Sequence, residues 1–165
     1  MSKRALIIAL IAVFALTATA AEAQRVRGGY QNAAGGVTAG AARDVRGPFG
    51  GRTVGEGGVV TDGNGNGVAG SRGCARGAGG GVGCGAGATT WDNDGNVHHE
   101  DSAYAEGPFG GRASTQGSWD RDENGALNGE RNSEFEIGDR TYSVDTTYDS
   151  DDGWDRDVDC NGSGC

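Results

Sequence analysis

The sequence predicts a mostly irregular or disordered chain with short antiparallel β-hairpins, an all-β tendency, following an N-terminal signal helix. Three observations predict it. Residues 24–165 contain all 34 glycines of the chain but only Leu127, Ile137, eleven valines and three phenylalanines as strong core formers. Segments rich in Thr, Val and aromatics end repeatedly in Asp-Gly or Asn-Gly turns, a strand-then-turn rhythm. "GPFGGR" occurs at 47–52 and again at 107–112, so the chain reads as two degenerate copies of a unit about 60 residues long.

Residues 1–23 come first. Lys3 and Arg4 precede an unbroken apolar run, Ala5 to Leu16, and then Ala18-Thr19-Ala20 and Ala21-Glu22-Ala23 offer small-x-small cleavage sites. This is the layout of a secretory signal peptide, with cleavage expected after Ala23 and Ala20 as the alternative. The run is shorter than the roughly 20 apolar residues a spanning helix needs. The expected location is therefore secreted, periplasmic or in the cell envelope, with no helical membrane span after cleavage.

Residues 24–46 read as a disordered N-terminal segment. Glycine loses more backbone entropy on folding than any other residue. Ordering each residue costs about 1–2 kcal/mol, which apolar burial must offset. With so little to bury, an enclosed core is not expected. The glycine-rich first copy spans 47–106, and residues 47–91 hold too few strand formers for strands to be assigned. The acidic second copy, 107–165, contains the best-specified element, a hairpin over 133–148. Gly138-Asp139 is a permitted two-residue turn. It sets Ile137 opposite Arg140 and Phe135 opposite Tyr142, with Phe135, Ile137, Tyr142 and Val144 on one face.

Acidic-glycine clusters begin at Asp62, Asp92, Asp120 and Asp149, suggesting half-units of about 29 residues. "WDRDENGALNGE", Trp119 to Glu130, resembles the front half of an EF-hand loop. Asp120, Asp122, Asn124, the carbonyl of Ala126 and Asn128 could supply oxygens to calcium, which takes 6–8 of them. The twelfth position is Arg131 where the EF-hand has a bidentate glutamate, and no amphipathic helix flanks the loop. Calcium binding in the weak extracellular range and a plain turn are the two readings of this stretch.

Cys74, Cys84, Cys160 and Cys165 are an even count in an exported chain, which suggests disulfides. Local bridges, Cys74–Cys84 and Cys160–Cys165, are the simplest of three pairings. Zinc held by cysteines with His98 and His99 is the rival, but the spacing matches no zinc framework.

Seven arginines face three acids in residues 24–91, whereas five face nineteen in 92–165. The basic and acidic halves could associate within or between chains, or simply keep the chain soluble. One "RGGY" at Arg27–Tyr30 in an acidic chain argues against a nucleic-acid partner. No nucleophile–base set sits in a chain able to preorganise one, so an enzyme is not expected. No cofactor is expected apart from the possible calcium. The expected role is an exported acidic glycine-rich repeat protein, structural or interactive. The alternative is a low-affinity calcium module.

Overall fold

A computed structural model describes residues 22–163. The signal-segment expectation falls almost wholly outside them. The described chain is a single open antiparallel meander of ten strands, in spatial order identical to chain order. The strands are β1 (Glu22–Gln31), β2 (Val37–Arg46), β3 (Arg52–Thr61), β4 (Gly67–Arg76), β5 (Val82–Trp91), β6 (Val97–Glu106), β7 (Arg112–Arg121), β8 (Leu127–Ile137), β9 (Arg140–Asp149) and β10 (Gly153–Asn161). At strand spacings near 4.8 Å the sheet is roughly 43 Å wide and about 33 Å tall.

Two expectations are corrected. The chain is not mostly irregular: 24–46, expected disordered, forms most of β1 and all of β2, and 47–91 carries β3, β4 and β5. The all-β tendency and the hairpin stand. Gly138 takes φ 67°, and Ile137 pairs with Arg140 and Phe135 with Tyr142 as read from the turn. The hairpin is longer than expected, with strands covering 127–149.

The strands begin 15 residues apart from Glu22 through Leu127. The repeating unit is thus one strand and one five-residue turn. It escapes a sequence comparison because successive turns lie at opposite ends of the sheet and carry different chemistry. At one end, Asn32–Gly36, Asp62–Asn66, Asp92–Asn96 and Asp122–Ala126 are side-chain-capped turns. At the other, Gly47–Gly51, Gly77–Gly81 and Gly107–Gly111 are glycine turns.

The template is nevertheless the same. The first residue's N–H donates to the fifth residue's carbonyl, at 2.9–3.1 Å at the capped end and 2.7–2.8 Å at the glycine end. The fourth residue is always a glycine with positive φ, from 82° at Gly35 to 108° at Gly65. A side chain would resist that conformation, which is why glycine recurs here. Like turns recur every 30 residues and the identical Gly-Pro-Phe-Gly-Gly turns every 60, hence the longer periods seen in the sequence.

No hydrophobic side chain among the described residues is buried. The composition-based expectation that no enclosed core forms agrees with this. The step from a missing core to missing order fails, because the strands pair their backbone N–H and C=O groups with their neighbours in chain order, and only β1 and β10 keep one unpaired side among the described strands.

Candidate functional site

Five-residue turns give paired residues an even number sum, so residue parity fixes the face from β1 through β8. The two-residue turn at Gly138-Asp139 makes the sum odd, and parity switches for β9 and β10. With side chains alternating between faces along each strand, every strand charge can be placed.

One face carries Arg25, Arg27, Arg43, Arg121, Arg131, Arg140 and Arg156, with Asp101 as its one acid among the described strand residues. The opposite face carries thirteen described carboxylates: Asp44, Glu56, Glu100, Glu106, Asp120, Glu130, Glu134, Glu136, Asp145, Asp149, Asp155, Asp157 and Asp159. Against them stand Arg46, Arg52, Arg72, Arg76 and Arg112. The ion pairs respect this sorting. Arg131 meets Asp101 at 2.6 Å on the basic face, and Arg52 meets Asp44 at 2.5 Å and Arg72 meets Glu56 at 2.5 Å on the acidic face. The hydrogen bond from Arg52 holds the Asp44 carboxyl below its ordinary pKa.

The basic face also carries the rings. In register across β5 to β10 lie Thr89, His99, Trp119, Gly129, Tyr148 and Trp154. Thr89 Oγ1 and His99 Nδ1 are 2.7 Å apart, His99 stacks on Trp119 with centroids 5.5 Å apart, and Tyr148 meets Trp154 at 4.8 Å. Glycines leave room for the rings. A Cβ on Gly67 would come within 2.2 Å of the Trp91 indole, and one on Gly129 within 3.1 Å of the Trp119 Cβ. Phe135, Ile137, Tyr142, Val144 and Val158 extend this surface over β8–β10. Trp154 is 75% exposed and Ile137 67%. The acidic face is less aromatic and forms an open hollow of about 820 Å³ around Cys74, Cys84 and Tyr104.

The calcium candidates divide between strand and turn. Asp120 and Asn128 are directly paired on the acidic face, and Asp120 Oδ1 lies 2.6 Å from Nδ1 of His98, its partner on β6. Asp122 opens the turn. Its Oδ1 accepts the N–H groups of Asn124 at 2.9 Å and Ala126 at 2.8 Å, and the Ala126 carbonyl accepts the Asp122 N–H at 3.0 Å. The Ala126 N–H bond is the chief cause that lowers the Asp122 pKa. Asp120, Asp122 and Asn128 line one shallow hollow; Asn124 and Ala126 do not. Among the described residues no group of three or more His, Cys, Asp or Glu side chains converges to hold a metal ion.

Cys74 and Cys84 sit directly opposite each other on β4 and β5 and form a disulfide, their Cα atoms 4.0 Å apart. Cys160 is disulfide-bonded too, while Cys165 lies outside the described residues. The zinc reading loses two cysteines to this bridge, and His98 and His99 point to opposite faces.

Sequence reasoning missed the charged faces. The signal was the parity of the arginines, which becomes readable only once the 15-residue period and the short turn at Gly138 are known. No helix of the described chain is long and apolar enough to cross a membrane. Comparison with protein-family models, curated proteins and solved structures finds no match.

Proposed function

We propose that the chain is an exported structural or interaction protein of the cell envelope or extracellular space, not an enzyme, that works as a two-faced adhesive sheet. The observation that carries this reading is the sorting of charge: seven arginines and the aromatic row on one face, thirteen carboxylates on the other. A sheet with no buried hydrophobic side chain leaves both faces available for contact. Arginine and aromatic side chains are the types enriched where protein surfaces dock.

The test uses the mature chain, residues 24–165. It is net acidic, yet the basic face should retain it on a cation-exchange matrix at low salt, and Arg27→Gln with Arg43→Gln and Arg121→Gln should release it. Wild-type chain passing straight through the matrix would count against the basic face as a docking surface. Export is tested separately by the intact mass of protein recovered outside the cytoplasm, which should begin at Gln24. A precursor retaining residues 1–23 inside the cell is the opposing result.

The calcium reading draws its support from Asp120, Asp122 and Asn128 sharing one hollow. A weak extracellular site would fill at about 10⁻⁴–10⁻³ M. Circular dichroism across that range should change for wild type and not for Asp120→Ala with Asp122→Ala. An unchanged wild-type spectrum removes this reading.

A further inference from the structure

We propose that mature chains stack front to back, the basic aromatic face of one sheet lying on the acidic face of the next copy. The proposal rests on the reading of the faces as docking surfaces and names the occupant. Three packings of identical two-faced sheets are open. Basic face on basic face would oppose seven arginines with seven more, with only Asp101 on each side to relieve them. Acidic face on acidic face would oppose thirteen carboxylates with thirteen, and the five arginines of that face leave an excess of eight negative charges on each side. Juxtaposed like charges repel and suppress such pairings. Only front-to-back stacking sets arginines against carboxylates, and it does so over β6–β10, where eleven of the thirteen carboxylates lie on one face and Arg121, Arg131, Arg140 and Arg156 on the other.

The acidic face retains charge for this role. Three of its arginines, Arg52, Arg72 and Arg112, are already paired with Asp44, Glu56 and Glu106. The carboxylates of β8 to β10 greatly outnumber the cations near them. Stacked sheets lie about 10 Å apart, and translation along the sheet normal preserves the twist, so successive copies fit alike. Such a contact is heterologous and does not close on itself, so it builds an open stack rather than a dimer.

Sedimentation velocity of the mature chain tests this. At about 0.01 M salt, where the screening length is roughly 30 Å, the average mass should exceed one chain and rise with protein concentration. At about 1 M salt, with screening near 3 Å, it should fall to one chain. Two charge-reversed variants sharpen the test. Arg27→Glu, Arg43→Glu and Arg121→Glu leave four arginines against four carboxylates and so cancel the net charge of the basic face; Glu134→Lys, Asp145→Lys and Asp157→Lys shift the other face toward basic. Each alone should assemble at least tenfold more weakly, and an equimolar mixture should recover association between unlike chains, because the unaltered basic face of the second variant meets the unaltered acidic face of the first.

Wild type that stays a single chain at every salt overturns the proposal. So does assembly that survives both reversals, or that needs an added polyanion such as heparin. Loss of assembly in Val158→Pro, with the reversals without effect, would mean that copies add edge to edge at β10 instead. Far-UV circular dichroism verifies the sheet in each variant. If a reversal unfolds it, glutamine at the same positions replaces that variant, with weakened assembly expected and undiminished assembly overturning the proposal. Failure of stacking with retention on the cation exchanger intact would leave the docking reading standing and reject only a second copy as occupant.

Discussion

Asp62, Asp92 and Asp122 each open a turn at one end of the sheet, and each aims a carboxylate oxygen back at its own loop's amides. Asp92 Oδ1 accepts the N–H groups of Asp94, Gly95 and Asn96, all at 3.0 Å. Hydrogen bonds to the charged form favour it. The Asn66 amide chiefly holds Asp62 below its ordinary value of 3.8, the Asn96 amide does so for Asp92, and the Ala126 N–H for Asp122. A carboxyl lowered by folding stabilises the sheet above its unfolded pKa and ceases to do so as pH falls through the folded one. The window therefore lies at and below about pH 4, near the unfolded aspartate value. Asn32 makes the same turn with a neutral amide, its Oδ1 accepting the Ala34 and Gly36 N–H groups at 3.1 and 3.0 Å. We expect the variant with asparagine at residues 62, 92 and 122 to keep the sheet and to lose less stability than wild type between pH 5 and pH 2. Denaturant midpoints followed by circular dichroism across that range measure it, and parallel curves for the two proteins refute it. The aspartate positions were visible in the sequence, but the fourth turn was misplaced by two residues, at Asp120 rather than Asp122. Acidic residues abound there, and composition cannot separate a strand carboxylate from one that caps a turn.

Legibility at the element scale depended on side chains. The β8–β9 hairpin could be read because Phe135, Ile137, Tyr142 and Val144 mark one face and Glu134, Glu136, Thr141 and Ser143 the other. In β3 and β4 glycine occupies both faces, and in β5 Gly83, Gly85 and Gly87 alternate with the small residues Cys84, Ala86 and Ala88, so no contrast of apolar and polar faces marks the strands although the ladder is complete. What the sequence did offer there was Cys74 and Cys84, whose local bridge ties β4 to β5. In the chain-entropy account, closing a loop of this length stabilises by about 3 kcal/mol or slightly less. Cys74→Ser with Cys84→Ser should lower the unfolding free energy by about that amount while leaving the strand signal in place, as read by urea titration with circular dichroism. Loss of the strand signal in water would make the bridge a condition of folding instead. Gly67 offers a second test. A valine there has good strand propensity, but its Cβ would enter the Trp91 ring, 2.2 Å from the nearest carbon. Gly67→Val should therefore destabilise, whereas Gly70→Val, whose nearest neighbour would be the Gly87 carbonyl at 3.5 Å, should be tolerated; equal midpoints would refute the ring placement.

At the scale of the molecule, contacts among the described strands run only between chain neighbours, from β1·β2 to β9·β10. Nothing joins distant strands through a common interior, since no hydrophobic side chain of the described residues is buried. Stability in such an architecture is approximately a sum of unit and nearest-neighbour terms. The composition of the chain foretold the missing interior and so pointed toward disorder; it could not reveal that a meander with short turns obtains its order locally, one strand against the next. A nearest-neighbour sheet opens from its ends. β1 and β10 each have one paired side among the described strands, whereas β4 and β5 have two and share the disulfide. Hydrogen exchange of single chains, in about 1 M salt to suppress stacking, should show protection lowest in β1 and β10 and highest around β4 and β5. Because opening free energies then differ by position rather than converging on one global value, denaturant should release the edge strands before the middle. Uniform protection with a single release point would mean that the ten strands unfold as one cooperative unit, and that couplings beyond nearest neighbours hold the sheet.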